Sequence, residues 1–176
     1  LQGAYGFRDR SSKRMLRQVV DEDGQPLMSP FGQPLLSLDG EGKVAERRFT
    51  GTGFAVGEKG ALITNRHVAL PWEYDASAEK AAMQNLEPVI IKFIAYLPGS
   101  ATAISVELRQ AGKNADLAIL RYAGSAALIP GLNLAGNVPA AGDEVLVMGY
   151  PTGMRSMLAQ SGDAFIEELQ KSNDTG

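Results

Sequence analysis

The sequence of 176 residues contains no cysteine and a single histidine, His67. Disulfide bonds and thiolate chemistry within the chain are therefore excluded. Protein zinc sites are mostly built from clusters of cysteine and histidine, so one histidine without thiols excludes that type of site as well. Because histidine is the side chain whose charge changes near neutral pH, His67 is a candidate for proton transfer.

Long apolar runs and an excess of positive charge are also missing. The longest apolar candidate, residues 89–97, is interrupted by Lys92 and falls short of the ~20 residues that cross a bilayer as a helix. The net charge of −3 at pH 7 gives no electrostatic basis for binding nucleic acid. The length suits one sizeable domain, and the apolar fraction of 44% is ordinary for a globular protein.

Residues 1–48 are predicted to form an N-terminal extension that contains a short basic helix. Ser11 and Ser12 are typical helix-capping residues, and an apolar stripe at helical spacing follows them. The stripe consists of Met15, Leu16, Val19 and Val20. Basic side chains make residues 8–20 a candidate for contact with an acidic membrane surface, although a solvated helix face is the favoured interpretation. A segment rich in proline and glycine continues to Gly42, and no internal repeat is evident.

The pattern from residue 49 onward predicts an all-β fold. Apolar runs at residues 49–56 and 61–64 flank a Gly-Glu-Lys-Gly turn, which is typical of a hairpin. Further strand-like runs lie at residues 89–97, 102–108, 117–122 and 144–149. A short helix is predicted at residues 76–86, within a polar insert, and another at residues 165–171. Short strands with few helices indicate an antiparallel barrel or sandwich.

The glycines of the first hairpin do not form a dinucleotide-binding motif. Gly51, Gly53 and Gly57 lack the G-x-G-x-x-G spacing, and they lie in a strand, whereas the motif needs a turn between a strand and a helix. We therefore predict no cofactor.

The carboxylate best placed to act with His67 is that of Asp116. A lone histidine after a strand more often has a structural role, so a catalytic interpretation depends on an acid that orients the ring. Asp116 begins the apolar run at residues 117–120, where an unpaired charge would be costly to bury. The other acids lie in turns, in the polar insert or in the N-terminal segment. Asp116 is thus the candidate partner of His67.

Three segments occur in a fixed order around these residues. They are GTGF at residues 51–54 with LITNRHV at residues 62–68, ADLAIL at residues 115–120, and GDEVLVMGYPTG at residues 142–153. Together they resemble the trypsin-like serine proteases, most closely the bacterial Deg/HtrA-type branch. In that family the first segment ends in the catalytic histidine, the second begins with the catalytic aspartate, and the third lies early in the second barrel.

The resemblance covers about residues 49–153 and implies a trypsin-like double β-barrel with the active site in the cleft between the barrels. It implies that His67 is the general base and that Asp116 is the carboxylate that orients it. On this basis residues 49–130 are predicted to form a complete first barrel. Residues 131–176 are predicted to form the start of a truncated second barrel.

The sequence departs from the family pattern in three places. The residue before the histidine is usually small and here is Arg66, and the insert at residues 71–88 is not part of the common pattern. The nucleophile segment Gly-x-Ser-Gly-Gly is absent, because Ser161 is followed by Gly-Asp and Ser156 has no motif around it. We therefore expect the chain to be a fragment, its nucleophile to lie beyond Gly176, and the 176 residues alone to be inactive.

The leading functional prediction is a serine endopeptidase that cleaves protein or peptide substrates with His67 and Asp116. A cysteine nucleophile on the same fold is a variant of this hypothesis. The alternative is a non-catalytic pseudoprotease that serves as a binding or scaffold module, which the missing serine segment favours. An unrelated β-barrel binding module is a third hypothesis, and it leaves the three segments unexplained. The resemblance implies a periplasmic or cell-envelope location, which a leader removed before Leu1 would suit.

Overall fold

The computed structural model describes residues 1–57, 61–97, 102–122 and 131–149. Within these ranges the chain forms nine strands, two α-helices and a 3-10 helix at Pro71–Tyr74. The strands are β1 (Gln2–Asp9), β2 (Arg17–Gln18), β3 (Leu36–Ser37), β4 (Glu46–Thr50), β5 (Gly53–Val56), β6 (Ala61–Thr64), β7 (Leu86–Ala95), β8 (Ile104–Ala111) and β9 (Ala118–Tyr122). The α-helices are α1 (Arg66–Ala69) and α2 (Ala76–Met83).

Seven of these strands form one antiparallel sheet that is curled into a barrel. The strand order is β4-β1-β7-β8-β9-β6-β5, so β4 and β5 lie at opposite ends of the sheet. Only Gly51 and Thr52 connect these two strands along the chain. Two residues span roughly 10 Å at most, so the two ends of the sheet must lie side by side. The two end strands of the sheet therefore approach each other, which gives the sheet the curvature of a barrel.

The interior of the barrel is filled by side chains that alternate along the strands. Leu62 of β6 and Leu120 of β9 are partners across the sheet, and both are buried. Phe93 of β7 and Val106 of β8 are buried in the same cluster. Thr64 is a buried polar residue, and its hydroxyl donates to the Thr52 carbonyl oxygen at 2.7 Å. In β6 and β9 burial thus follows the period of two of a half-buried strand, whereas β7 ends in three consecutive buried residues.

The predicted all-β fold is confirmed, and most of the predicted strands from residue 49 onward are present. The hairpin consists of β5 and β6, paired from Gly53 with Thr64 to Val56 with Ala61. The helix predicted in the insert is α2, and Asp75 caps its N-terminus by accepting from the Ser77 amide. The strand predicted at residues 144–149 was wrong, because this described stretch has no regular structure and its apolar side chains are exposed. The helix predicted at residues 165–171 lies outside the described residues.

The N-terminal region requires two corrections. The first residues are not an extension, because β1 lies inside the sheet between β4 and β7. The predicted short basic helix was also wrong. Lys13 has a positive φ of 60°, which interrupts a right-handed helix, and β2 pairs with β3 instead. The apolar stripe at helical spacing was misleading because pairing with distant backbone outweighed the weak local preference for a helix.

Residues 19–42 contain an eight-residue repeat, so the expectation of no internal repeat was wrong. The three units are VVDEDGQP, LMSPFGQP and LLSLDGEG. Their first residues bond to one another in a ring, because the Leu27 amide donates to the Val19 carbonyl, Leu35 to Leu27, and Val19 to Leu35, at 2.8–2.9 Å. The sixth residue is always glycine, and Gly24 and Gly32 adopt positive φ angles of 76° and 73°. The repeat is hard to recognise in the sequence because the residues that its units share, such as glycine and proline, are common in turns of any kind.

Candidate active site

His67 lies on α1, a single helical turn that follows β6 and packs against the barrel core. Val68 and Ala69 of this turn are buried, which anchors its inner side. Gly51 approaches so closely that a Cβ atom there would lie 2.4 Å from a methyl carbon of Val68, so only glycine fits. The neighbouring His67 side chain is about half exposed, at 49%.

Asp116 lies in the loop between β8 and β9, and its carboxylate contacts His67 twice. Its Oδ2 atom is 2.7 Å from His67 Nδ1, and its Oδ1 atom accepts from the His67 backbone amide at 3.0 Å. The two residues are 49 positions apart in the sequence. A contact between these two side chains was expected from the sequence, and the structure places them within hydrogen-bond distance.

Asn65 supports this pair from the residue that precedes α1. Its amide nitrogen donates to Asp116 Oδ2 and to the Asp116 backbone oxygen, each at 3.1 Å. The carboxylate therefore has partners on both oxygens, which restricts rotation about its side-chain bonds. Asn65 stands inside the LITNRHV segment, but its role depends on Asp116, which lies 51 residues away in the sequence.

Electrostatics favour an ionised Asp116. The hydrogen bond from the His67 backbone amide lowers the pKa of Asp116 below its ordinary value, and the bonds from the His67 ring and Asn65 act in the same direction against a smaller opposing effect of desolvation. An ionised carboxylate can only accept, so in its neutral form the His67 ring donates to Asp116 from Nδ1. The other ring nitrogen, Nε2, is then the atom with a free lone pair.

Arg66, the residue before His67, is paired with Glu73 of the insert. Its guanidinium forms two bonds with the Glu73 carboxylate, from Nε at 2.7 Å and from Nη2 at 2.6 Å. It also donates to the Gly112 carbonyl oxygen at the end of β8. A paired guanidinium of this kind has little free charge to present to a cleft. Arg66 thus ties α1 to the insert and to the loop that carries Asp116.

The insert after α1 is anchored to the barrel on its other side by Asp75. The hydroxyl of Tyr5 donates to Asp75 Oδ2 at 2.6 Å, and Arg47 contacts the same oxygen. Burial together with the bond to Asp75 raises the pKa of Tyr5 to about 12. Burial disfavours the charge of Asp75, but the hydrogen bonds from Tyr5 and Ser77 outweigh it and lower the pKa of Asp75 to about 2.

This shift predicts a component of acid stability that depends on Asp75. Its pKa is about 2 in the folded protein and near 3.8 in the unfolded chain, so the stabilisation is complete above about pH 4 and is lost as the pH falls through 2. Urea unfolding between pH 6 and pH 2 should therefore show a smaller loss of stability in Asp75→Asn than in the wild type. Asp23→Asn, at an exposed turn, is the control and should follow the wild type. Parallel curves for Asp75→Asn and the wild type would contradict the prediction.

Tyr74 is the residue of the insert that contacts His67. The two rings meet edge to face, with centroids 5.7 Å apart and planes at 77°. The Tyr74 side chain is otherwise largely exposed, at 64%. Neither Tyr74 nor Glu73 was predicted as a site residue, because the insert lies outside the segments that resemble known proteases.

The remaining predicted features of the site are only partly described. The third segment is described from Gly142 to Gly149, and its GYPTG end continues beyond the described residues. Ser156 and Ser161 lie outside them too. In the described part of the chain, no group of three or more His, Cys, Asp or Glu side chains is arranged to hold a metal ion. Among those same residues, no helix has the length and apolarity needed to cross a membrane.

Comparison with known protein families gives one match. The description of the matching family is "Trypsin-like peptidase domain", and the match covers residues 51–174, which is 124 of the 176 residues. It includes both His67 and Asp116. Neither the curated proteins nor the solved structures contain a match to this chain. Because the family match extends over more than half of the sequence, the chain belongs to the trypsin-like peptidase domain family.

Proposed function

We propose that this protein is a serine endopeptidase of the Deg/HtrA type, in which His67 is the general base and Asp116 orients it. The observation that carries the proposal is the 2.7 Å contact between His67 Nδ1 and Asp116 Oδ2, on a histidine whose side chain is half exposed. A general base needs a fixed tautomer and access to substrate, and this arrangement supplies both. Family membership supports the coarser function, a protease of the serine type.

The proposed reaction uses the two nitrogens of His67 for different tasks. Nδ1 holds its proton against Asp116, and Nε2 accepts the proton of a serine hydroxyl as the oxygen attacks a peptide carbonyl carbon. The imidazolium formed in this step is stabilised by the ionised Asp116. His67 then delivers the proton to the leaving amine, and a water molecule hydrolyses the acyl-enzyme in a second cycle of the same transfers.

We further propose that the nucleophile does not belong to these 176 residues. The sequence has no Gly-x-Ser-Gly-Gly segment, and neither Ser156 nor Ser161 has that context.

The proposed substrates are proteins or peptides, and the proposed location is the periplasm or cell envelope. We do not propose that residues 8–20 contact a membrane. Arg8 and Lys13 pair with Glu87, at 2.8 Å and 3.1 Å, so part of the basic charge is neutralised within the chain.

A labelling experiment tests this proposal. A fluorophosphonate probe reacts with serine nucleophiles that an adjacent base activates. We expect it to label protein expressed from the full reading frame and not the 176-residue chain. His67→Ala in the full-length protein should abolish labelling, because the hydroxyl then has no base. Stoichiometric labelling of the 176-residue chain at Ser156 or Ser161 would contradict the placement of the nucleophile.

The second candidate function is a non-catalytic pseudoprotease that serves as a binding or scaffold module. The specific observation in its favour is the absence of the serine segment from this sequence. The retained contact between His67 and Asp116 is against it, because a scaffold has no chemical need for an oriented histidine. If the full-length protein is not labelled and cleaves no peptide in a diverse library, the pseudoprotease is the better description.

A further inference from the structure

We propose that Tyr74 is a specificity-determining residue that contacts the substrate and selects apolar side chains next to the scissile bond. This inference rests on the proposed protease function, because it places the substrate at His67. It begins from the edge-to-face contact of Tyr74 with the His67 ring, at 5.7 Å between centroids. Tyr74 belongs to the insert, outside the segments that resemble known proteases.

The position of Tyr74 is fixed by the residues on both sides of it. Glu73 is held by the two bonds from Arg66, and Asp75 is held by Tyr5 and Arg47. The neighbouring turn of the insert is also packed inward. Trp72 contacts the ring of Tyr5 at 5.8 Å between centroids, and both belong to one apolar cluster. An exposed side chain between two anchored carboxylates is preorganised, so little conformational entropy is lost when a ligand covers it.

The position of the substrate relative to Tyr74 follows from the roles of the two His67 nitrogens. Asp116 occupies Nδ1, so the peptide bond to be cleaved must lie beside Nε2. A ring whose centroid lies 5.7 Å from that of His67 and that remains 64% exposed is within reach of residues that flank this bond. Covering the ring with an apolar side chain removes apolar surface from water on both partners, whereas a glycine covers very little of it.

The test is a cleavage profile of the full-length protein and its variants on a peptide library. For peptides with a large apolar residue beside the scissile bond, Tyr74→Ala should lower kcat/KM on the order of tenfold. For peptides with glycine there, the change should stay within about twofold. Tyr74→Phe should retain the wild-type profile, because the ring and not the hydroxyl makes the contact.

Tyr96→Ala is the matched control. Tyr96 is another exposed tyrosine, directly after β7, whose end pairs with the first residue of β8. The loop that carries Asp116 follows the other end of β8, so Tyr96 lies far from the site. The profile of Tyr96→Ala should match that of the wild type. A second measurement does not depend on turnover. The affinity for a peptide whose scissile amide is reduced to CH₂–NH should fall in Tyr74→Ala and not in Tyr96→Ala.

The possible failures can be told apart. If the wild type cleaves peptides and Tyr74→Ala has the same profile and the same affinity for the reduced peptide, the role of Tyr74 is overturned and the protease function stands. If a uniform loss over all peptides occurs in Tyr74→Ala, the residue acts on His67 and not on specificity, which also overturns the inference. If the full-length wild type neither cleaves any peptide nor reacts with the fluorophosphonate, the proposed function fails and the role of Tyr74 fails with it.

Discussion

Asp116→Asn in the full-length protein is expected to lower kcat by about 10³- to 10⁴-fold while KM changes little. The asparagine keeps the size of the side chain but can present an N–H to His67 Nδ1. The ring then places its own proton on Nε2, and the nitrogen that must accept the serine proton is no longer free. The substituted side chain also cannot stabilise the imidazolium by its charge. Steady-state kinetics with a peptide substrate measure both effects.

Asp39→Asn is the matched control for this prediction. Asp39 is an exposed acid that pairs with Arg14 at 2.6 Å in the N-terminal region, so the chemical change is the same and the site is different. Its kcat should equal that of the wild type. Thermal unfolding of both variants should show that each is folded. A folded Asp116→Asn protein with kcat within about tenfold of the wild type would show that Asp116 does not orient the base.

Leu120→Ala is expected to lower the free energy of unfolding by about 2–5 kcal/mol. Leu120 is completely buried, with 0% of its surface exposed, and it lies on β9 between β6 and β8. Its removal leaves a cavity in the barrel that the paired strands cannot close. Urea unfolding of the variant measures the loss. A total stability of roughly 5–15 kcal/mol is usual, so this single change should unfold a substantial fraction of a marginal protein.

Leu117→Ala provides the control because it makes the same substitution three residues earlier. Leu117 is 53% exposed, so its truncation creates no cavity. The change in unfolding free energy should stay within about 0.5 kcal/mol. Equal losses in the two variants would contradict the placement of Leu120 in the core and of Leu117 at the surface.

Much of the barrel could be predicted from the sequence because its signals are local. In β5 and β6 the two apolar runs and the glycine-rich turn lie within a dozen residues, and pairing follows directly from the hairpin. The pair of His67 and Asp116 was also accessible, since each residue stands in a short segment with a recognisable order. Local patterns of this kind predict the folded structure because the tertiary contacts favour the same local conformation.

The N-terminal region could not be predicted because its structure depends on distant partners. β1 pairs with β7, between 77 and 92 residues away, so no local pattern specifies the pairing. The ring of hydrogen bonds among Val19, Leu27 and Leu35 exists only when three turns have formed. Backbone pairing therefore outweighed the weak helical preference of the apolar stripe in this region.

The sequence by itself determined the β character of the chain, the absence of thiol chemistry, and the identity of the candidate base and acid. These depend on composition, on residue type and on spacing within short segments. Tertiary structure alone decided how the site is supported and what surrounds it. Arg66, Glu73 and Tyr74 acquire their roles only when the insert folds back onto α1. The physical reason is that a side chain's charge is in the sequence, whereas its partner, its exposure and its direction are set by the fold.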